Sequence, residues 1–210
     1  MNRLLVIAFL LPGALAADTV IYDTFGPGET FGTSLSTPLY NYQFADGFTA
    51  SASGTLQQIT LSLGVSQIST PPNYADFFIW SDNSGSPPTL LEEIEVDAGA
   101  FSFTGQLVTA DSVTHPYLTS GHRYYIGAAA VSPGTNPIIW FEASAPLEPG
   151  ALEEYNFGGS WGLVDPQPTV ALGALITVND ATPEPSAAWL ASAGLLAALF
   201  FPSFRRKLGM

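Results

Sequence analysis

Between residues 19 and 178 the apolar positions fall in short runs, and many alternate with polar ones at a period of two, the pattern of half-buried strands. Thr19 to Phe25 alternates around Val20, Tyr22 and Thr24. Tyr40 to Phe48 carries Tyr40, Tyr42, Phe44 and Phe48, broken by Asp46-Gly47. Gln58 to Val65 places Ile59, Leu61 and Leu63 on one face and Gln58, Thr60 and Ser62 on the other. Leu56 is out of phase with that face, which predicts a bulge or a strand start near Gln57. Further strands are predicted over 76–81, 90–96, 101–108, 123–131, 138–143, 155–163 and 170–178. Turn residues punctuate them every 8–15 positions, as in the Ser-Asp-Asn-Ser-Gly-Ser-Pro-Pro stretch from Ser81 to Pro88. About ten short strands and no convincing helix predict an all-β fold, an antiparallel β-sandwich of jelly-roll type. No repeat of 20–50 residues is present.

Two apolar runs do not fit that alternation. Leu4 to Leu11 follows the positive Met1-Asn2-Arg3 and precedes Pro12-Gly13 and the small-x-small Ala14-Leu15-Ala16. This is the layout of a secretory signal peptide, residues 1–16, with cleavage after Ala16. Ala187 to Phe204 holds no charged residue in 18 positions and is closed by Arg205-Arg206-Lys207. As a helix it would reach about 27 Å, close to the roughly 30 Å of a bilayer's hydrocarbon core. A buried helix normally keeps a polar face; here only Ser192, Ser203 and small residues interrupt the apolar surface. One transmembrane helix over 187–204 is therefore expected, with the basic cluster cytoplasmic and everything before it outside. That leaves 17–182 as one extracellular domain and 183–210 as a C-terminal signal.

The order of that tail is more specific than its hydrophobicity. Pro183-Glu184-Pro185, then the span, then Arg205, Arg206 and Lys207, closely resembles the PEP-CTERM sorting signal of Gram-negative bacteria. The family commonly has Val before the first Pro, where this chain has Thr182. The resemblance implies export by the general secretion machinery and transient anchoring in the inner membrane. An exosortase then cuts near Pro-Glu-Pro and delivers the protein to the cell surface or an extracellular polysaccharide matrix. A second resemblance spans roughly residues 20 to 178. Tyr22-Asp23, Asp46-Gly47-Phe48-Thr49, the Leu56 to Leu61 strand, the Ser81 to Pro87 loop and Leu118-Thr119-Ser120-Gly121 before Arg123-Tyr124-Tyr125 are similar to the choice-of-anchor β-sandwich domains, the R type among them. This implies a fold and a location, not an activity.

Charge narrows the partners. Residues 17–184 hold all 18 acidic residues against one basic residue, Arg123, a net −17 with both histidines neutral. Nucleic acid and anionic lipid surfaces are poor partners for such a domain, since nothing neutralises phosphate. There is no cysteine, so no disulfide staples the domain even though export would permit one.

Candidate chemistry is thin. The sequence has no Gly-x-Ser-x-Gly elbow, no phosphate-binding loop and no His-Glu-x-x-His. His115 and His122 are the only histidines and read as surface or capping residues; a triad through Asp111 and His115 is the kind of combination that arises by chance. Asp82, Ser84, Ser86 and Glu93 match positions of a calcium-loop register, but Pro87 stands where that loop needs Gly. No catalytic residue, metal ligand or cofactor is assigned. Glu92, Glu93 and Glu95, with Glu153 and Glu154, invite a glycosidase reading, yet Glu93 and Glu95 share a strand face and Glu92 takes the other. A solvated face and an edge safeguard account for them. Trp80 and Trp140 lie in hydrophobic runs and read as core. Trp161, among glycines, is the best candidate for an exposed sugar-stacking ring, with Tyr155 beside it. Arg123 is expected to pair with an acid. The leading expectation is a non-catalytic exported protein. A carbohydrate-binding module comes second and a polysaccharide hydrolase or lyase third.

Overall fold

The computed structural model describes residues 18–28, 30–39, 43–65, 74–82, 89–97, 104–131, 138–146, 153–157, 160–163 and 169–179. The expected signal peptide, with its expected cleavage site at Ala14 and Ala16, and the whole tail from Pro183 onward lie outside them. The described residues belong to one compact unit, Asp18–Asp180, and they are all-β.

Fourteen strands are seen among them: β1 Asp18–Asp23, β2 Phe31–Pro38, β3 Gln43–Thr49, β4 Gly54–Val65, β5 Tyr74–Ser81, β6 Thr89–Asp97, β7 Gln106–Asp111, β8 Tyr117–Leu118, β9 Arg123–Ala130, β10 Ile138–Pro146, β11 Glu153–Phe157, β12 Ser160–Leu163, β13 Val170–Leu172 and β14 Ala174–Asn179. They form two sheets that pack together. One runs β1-β14-β4-β10-β13, with β7 and β8 also paired to β4 and β2 to β10; the other runs β12-β11-β3-β9-β5-β6. Every pairing is antiparallel.

The core follows from the alternation. Ile59, Leu61 and Leu63 of β4 meet Phe48, Phe77, Ile79 and Ile126 of the second sheet in one buried cluster, with Trp140, Ile176 and Val178. Leu56 joins the same cluster because the register of β14 on β4 shifts there: Thr177 faces Gln58 and Val178 faces Leu56. Gln57 is the extra residue, as the phase break predicts, and its carbonyl accepts from the Ser112 N–H at 2.7 Å.

Three expected elements differ. The Tyr155 to Leu163 stretch is two strands, β11 and β12, in register from Glu154–Leu163 to Phe157–Ser160. Val170 to Val178 divides at Gly173. There the peptide passes so close that a Cβ would overlap the Ser62 hydroxyl and approach the Phe25 ring to 2.6 Å. The Gly173 carbonyl takes bonds from Ser62 N–H (3.0 Å) and Trp140 Nε1–H (2.9 Å), and its N–H donates to Phe141 O (2.8 Å). This is where β4 exchanges one neighbour, β10, for the other, β14. The strand predicted from 101 starts, in its described part, only at Gln106, after Gly105 with its φ of 75°. The alternation does not reveal β2, a Ser/Thr-rich stretch, which pairs with β10 from Ile139–Pro38 to Ala143–Phe31. It also misses β8, whose two residues lie in what reads as a turn.

Candidate functional site

The outer face of the six-stranded sheet carries the sequence's best candidate. Along β3 and β9 that face is lined by small residues: Ala45 lies opposite Gly127 and Gly47 opposite Tyr125. Small residues leave room above the sheet for large neighbours. Trp80 of β5 fills it, its ring so close over Gly127 that a Cβ there would overlap it. Phe78 stacks on Trp80, with ring centroids 4.9 Å apart and planes 18° from parallel. Trp161 of β12 comes from the other side, edge-on to Trp80 at 5.0 Å and 80°. Ala45, Phe78, Trp80 and Tyr125 are buried as a cluster separate from the core, with Trp161 and Ala129 packed on it and partly buried. Such edge-to-face and stacked pairs contribute about 0.5–1.5 kcal/mol each beyond their buried area.

Trp161 is thus neither a free surface ring nor a core residue; it forms the margin of an aromatic ledge. Trp80, expected in the main core, belongs to this ledge. Trp140 is core, as expected. Tyr155 lies on β11, in register with Phe44 and Gly162.

Polar groups border the ledge. Beyond Tyr125, Arg123 sits 3.9 Å from Asp82 and 5.5 Å above the Tyr125 ring, within cation–π range. Its pairing with an acid is as expected. Its Nη2 is buried, over Gly47, without a hydrogen-bond partner among the described residues. At the opposite border Asp76 faces Glu95 across β5 and β6. Burial, and then the charges of Glu93 and Glu95, push the Asp76 carboxyl up to about 6.

Two acidic side chains have roles the sequence does not announce. Glu92 is buried and ties β6 to the loop after β7: its carboxyl accepts from Ser112 Oγ–H and Val113 N–H, each at 2.5 Å, and from Thr114 N–H at 2.8 Å. The glycosidase reading loses this carboxyl to loop anchoring, while Glu93 and Glu95 are exposed. Asp46 does not interrupt β3. It keeps the phase of Phe44 and Phe48 and enters the core fully buried, where Oδ2 accepts from Leu172 N–H at 2.7 Å and Oδ1 has no partner among the described residues. Burial pushes its pKa up to about 7; the Leu172 bond opposes this and the charge of Glu142, which lies opposite Leu172, adds to it. Glu142 is itself raised by burial.

His115 and His122 are exposed. His115 has a φ of 52° and its Nδ1 lies 3.1 Å from Leu56 O. Asp111 accepts from Gln58 Nε2 at 2.8 Å. The described residues contain no group of three metal-ligating side chains. Comparison with known proteins gives no match, either to a family model or to a curated relative.

Proposed function

We propose that the chain is an exported, non-catalytic cell-surface or matrix protein, sorted by an exosortase through residues 183–210. The observation that carries this reading is the sequence order: Arg3, the apolar run Leu4 to Leu11 and Ala14-Leu15-Ala16 before the sandwich, and Pro183-Glu184-Pro185, an uncharged run of 18 residues and Arg205-Arg206-Lys207 after it. On this reading the product is a jelly-roll-like sandwich of choice-of-anchor type. The general secretion machinery carries it across the inner membrane, and 187–204 holds it there until cleavage. Its acidic surface suits solubility in a hydrated polysaccharide matrix. Intact mass of the protein recovered from the surface of a Gram-negative host with an active exosortase is the test. Loss of about the first 16 and the last 25 residues is expected; a full-length C-terminus rejects the sorting.

A second reading has its own observation. Trp161 is partly exposed at the edge of the ledge it forms with Trp80 and Phe78, and a planar ring held rigidly in this way suits stacking against a sugar. The sandwich would then bind carbohydrate of the matrix. Binding on a glycan array that disappears on Trp161→Ala, with the fold intact by circular dichroism, supports it; undiminished binding removes Trp161 from the site.

A further inference from the structure

Every large hydrophobic side chain that is exposed among the described residues lies at one end of the sandwich: Val20 (47% exposed), Leu90 (47%), Val113 (72%) and Tyr117 (57%). The strand registers place them. In the eight-stranded sheet, Asp18, Asn179, Thr55 and Tyr117 form one cross-strand row, and Val20 is two residues along β1 from it. Val113 is in the loop that joins β7 to β8, at the end where Asp111 faces Gln58. In the other sheet, Thr49 faces Arg123, Tyr124 faces Ser81, and Ser81 faces Thr89, next to Leu90. Glu92 joins the two sets by holding the Val113 loop, and Ala50 N–H donates to His122 O at 3.0 Å. The chain enters and leaves here as well, since Asp18 and Asn179 are direct partners.

On the sorting reading above, we infer that this end is the membrane-facing end of the domain and that Val20, Leu90, Val113 and Tyr117 dock it on a zwitterionic lipid interface while the tail is attached. Chain length requires proximity. Seven residues, 180–186, separate Asn179 from the apolar run, and fully extended they reach about 25 Å. The pattern favours a lipid surface over a protein groove. Among the described residues, the four side chains stand on separate strands and loops around one end. A headgroup interface accepts scattered apolar groups and favours tyrosine. Charge agrees with a zwitterionic surface. Arg123, His115 and His122, the only basic or imidazole side chains of residues 17–184, are at this end. Arg123 pairs with Asp82, and Asp18 and Asp111 lie at the same end, while Asp76, Glu93, Glu95 and Glu142 lie farther along the strands. The rigid anchoring of the Val113 loop by Glu92 presents its apolar tip without further ordering cost.

The absence of cysteine makes the test direct, because any introduced thiol is unique. Full-length chain carrying Val113→Cys, Tyr117→Cys or, as a control, Glu95→Cys is spin-labelled and reconstituted in phosphatidylethanolamine-rich vesicles. Flotation reports insertion of the tail, and collisions with oxygen and with a water-soluble relaxant report the depth of each label. With the tail inserted, labels at 113 and 117 are expected to show a several-fold higher oxygen-to-relaxant ratio than the label at 95. Adding Leu90→Ser and Val20→Ser should lower that ratio. An inserted chain whose three labels are equally aqueous overturns the docking and leaves the sorting reading standing. A chain that fails to float with the vesicles defeats both. Shielding at 113 and 117 that appears only when a membrane enzyme is co-reconstituted overturns lipid docking in favour of a protein partner.

Discussion

At the scale of single residues, Asp46 makes stability depend on pH. A carboxyl in the core with one oxygen unpartnered is held neutral more easily than charged, and its pKa rises from 3.8 to about 7. The folded state therefore keeps the proton over a range where the unfolded chain has lost it. The stabilisation is complete below pH about 4 and is lost as pH rises through about 7. Asp76, raised to about 6, acts in the same direction. Denaturant midpoints of the purified chain are expected to fall between pH 4 and 7, and Asp46→Asn to flatten most of that fall, because the amide still accepts from Leu172. A variant with an unchanged pH profile would place the ionisation elsewhere. Nothing in the sequence distinguishes Asp46 from a turn aspartate. Asp46-Gly47 is a common turn pair, and only the registers of β3 with β9 and β11 show it continuing a strand into the core.

At the scale of elements, the alternation located the strands that have one buried and one solvated face, because burial imposes a period of two on such strands. It also located the bulge at Gln57, since a bulge shifts that period by one. It could not find β2, whose serines and threonines carry no such period. It also merged β11 with β12, and β13 with β14, whose boundary lies at Gly173, a glycine whose role is set by Ser62, Phe25 and Trp140, all distant in sequence. The Glu92 tie is of the same kind, joining residues about 20 positions apart. Its three bonds organise the loop between β7 and β8. Glu92→Ala would leave the Val113 and Thr114 amides and the Ser112 hydroxyl without this acceptor, at a cost of about 1–3 kcal/mol. Glu92→Gln, which keeps one oxygen for the two amides, should cost much less. Hydrogen exchange at Val113 and Thr114 reads the difference; equal protection in both variants would mean that the loop is held by other contacts.

At the scale of the whole molecule, we propose that the chain combines a sandwich with targeting segments, and the two are legible in different ways. The sandwich is written in alternation and can be checked against registers and burial. The ledge of Trp80, Phe78 and Trp161 was half legible. Trp161 stood out among glycines, but that Trp80 and Phe78 face outward beside it depends on small residues at Ala45, Gly47 and Gly127 on neighbouring strands. The proposed sorting tail is written in linear order alone, with Glu184 the one charge between Asp180 and Arg205. Its two prolines each lack a backbone donor and restrict the preceding residue. The segment is therefore expected to be extended and open to a membrane-embedded protease, just outside the span. The most direct measurement is the fate of a variant in which Pro183, Glu184 and Pro185 are all replaced by Ala. With the span and Arg205-Arg206-Lys207 untouched, insertion should proceed but cleavage should stop, so that the protein accumulates in the inner membrane with its tail attached. If that variant is cleaved and delivered to the surface at the normal rate, the tail is an anchor only, and the sorting account is wrong.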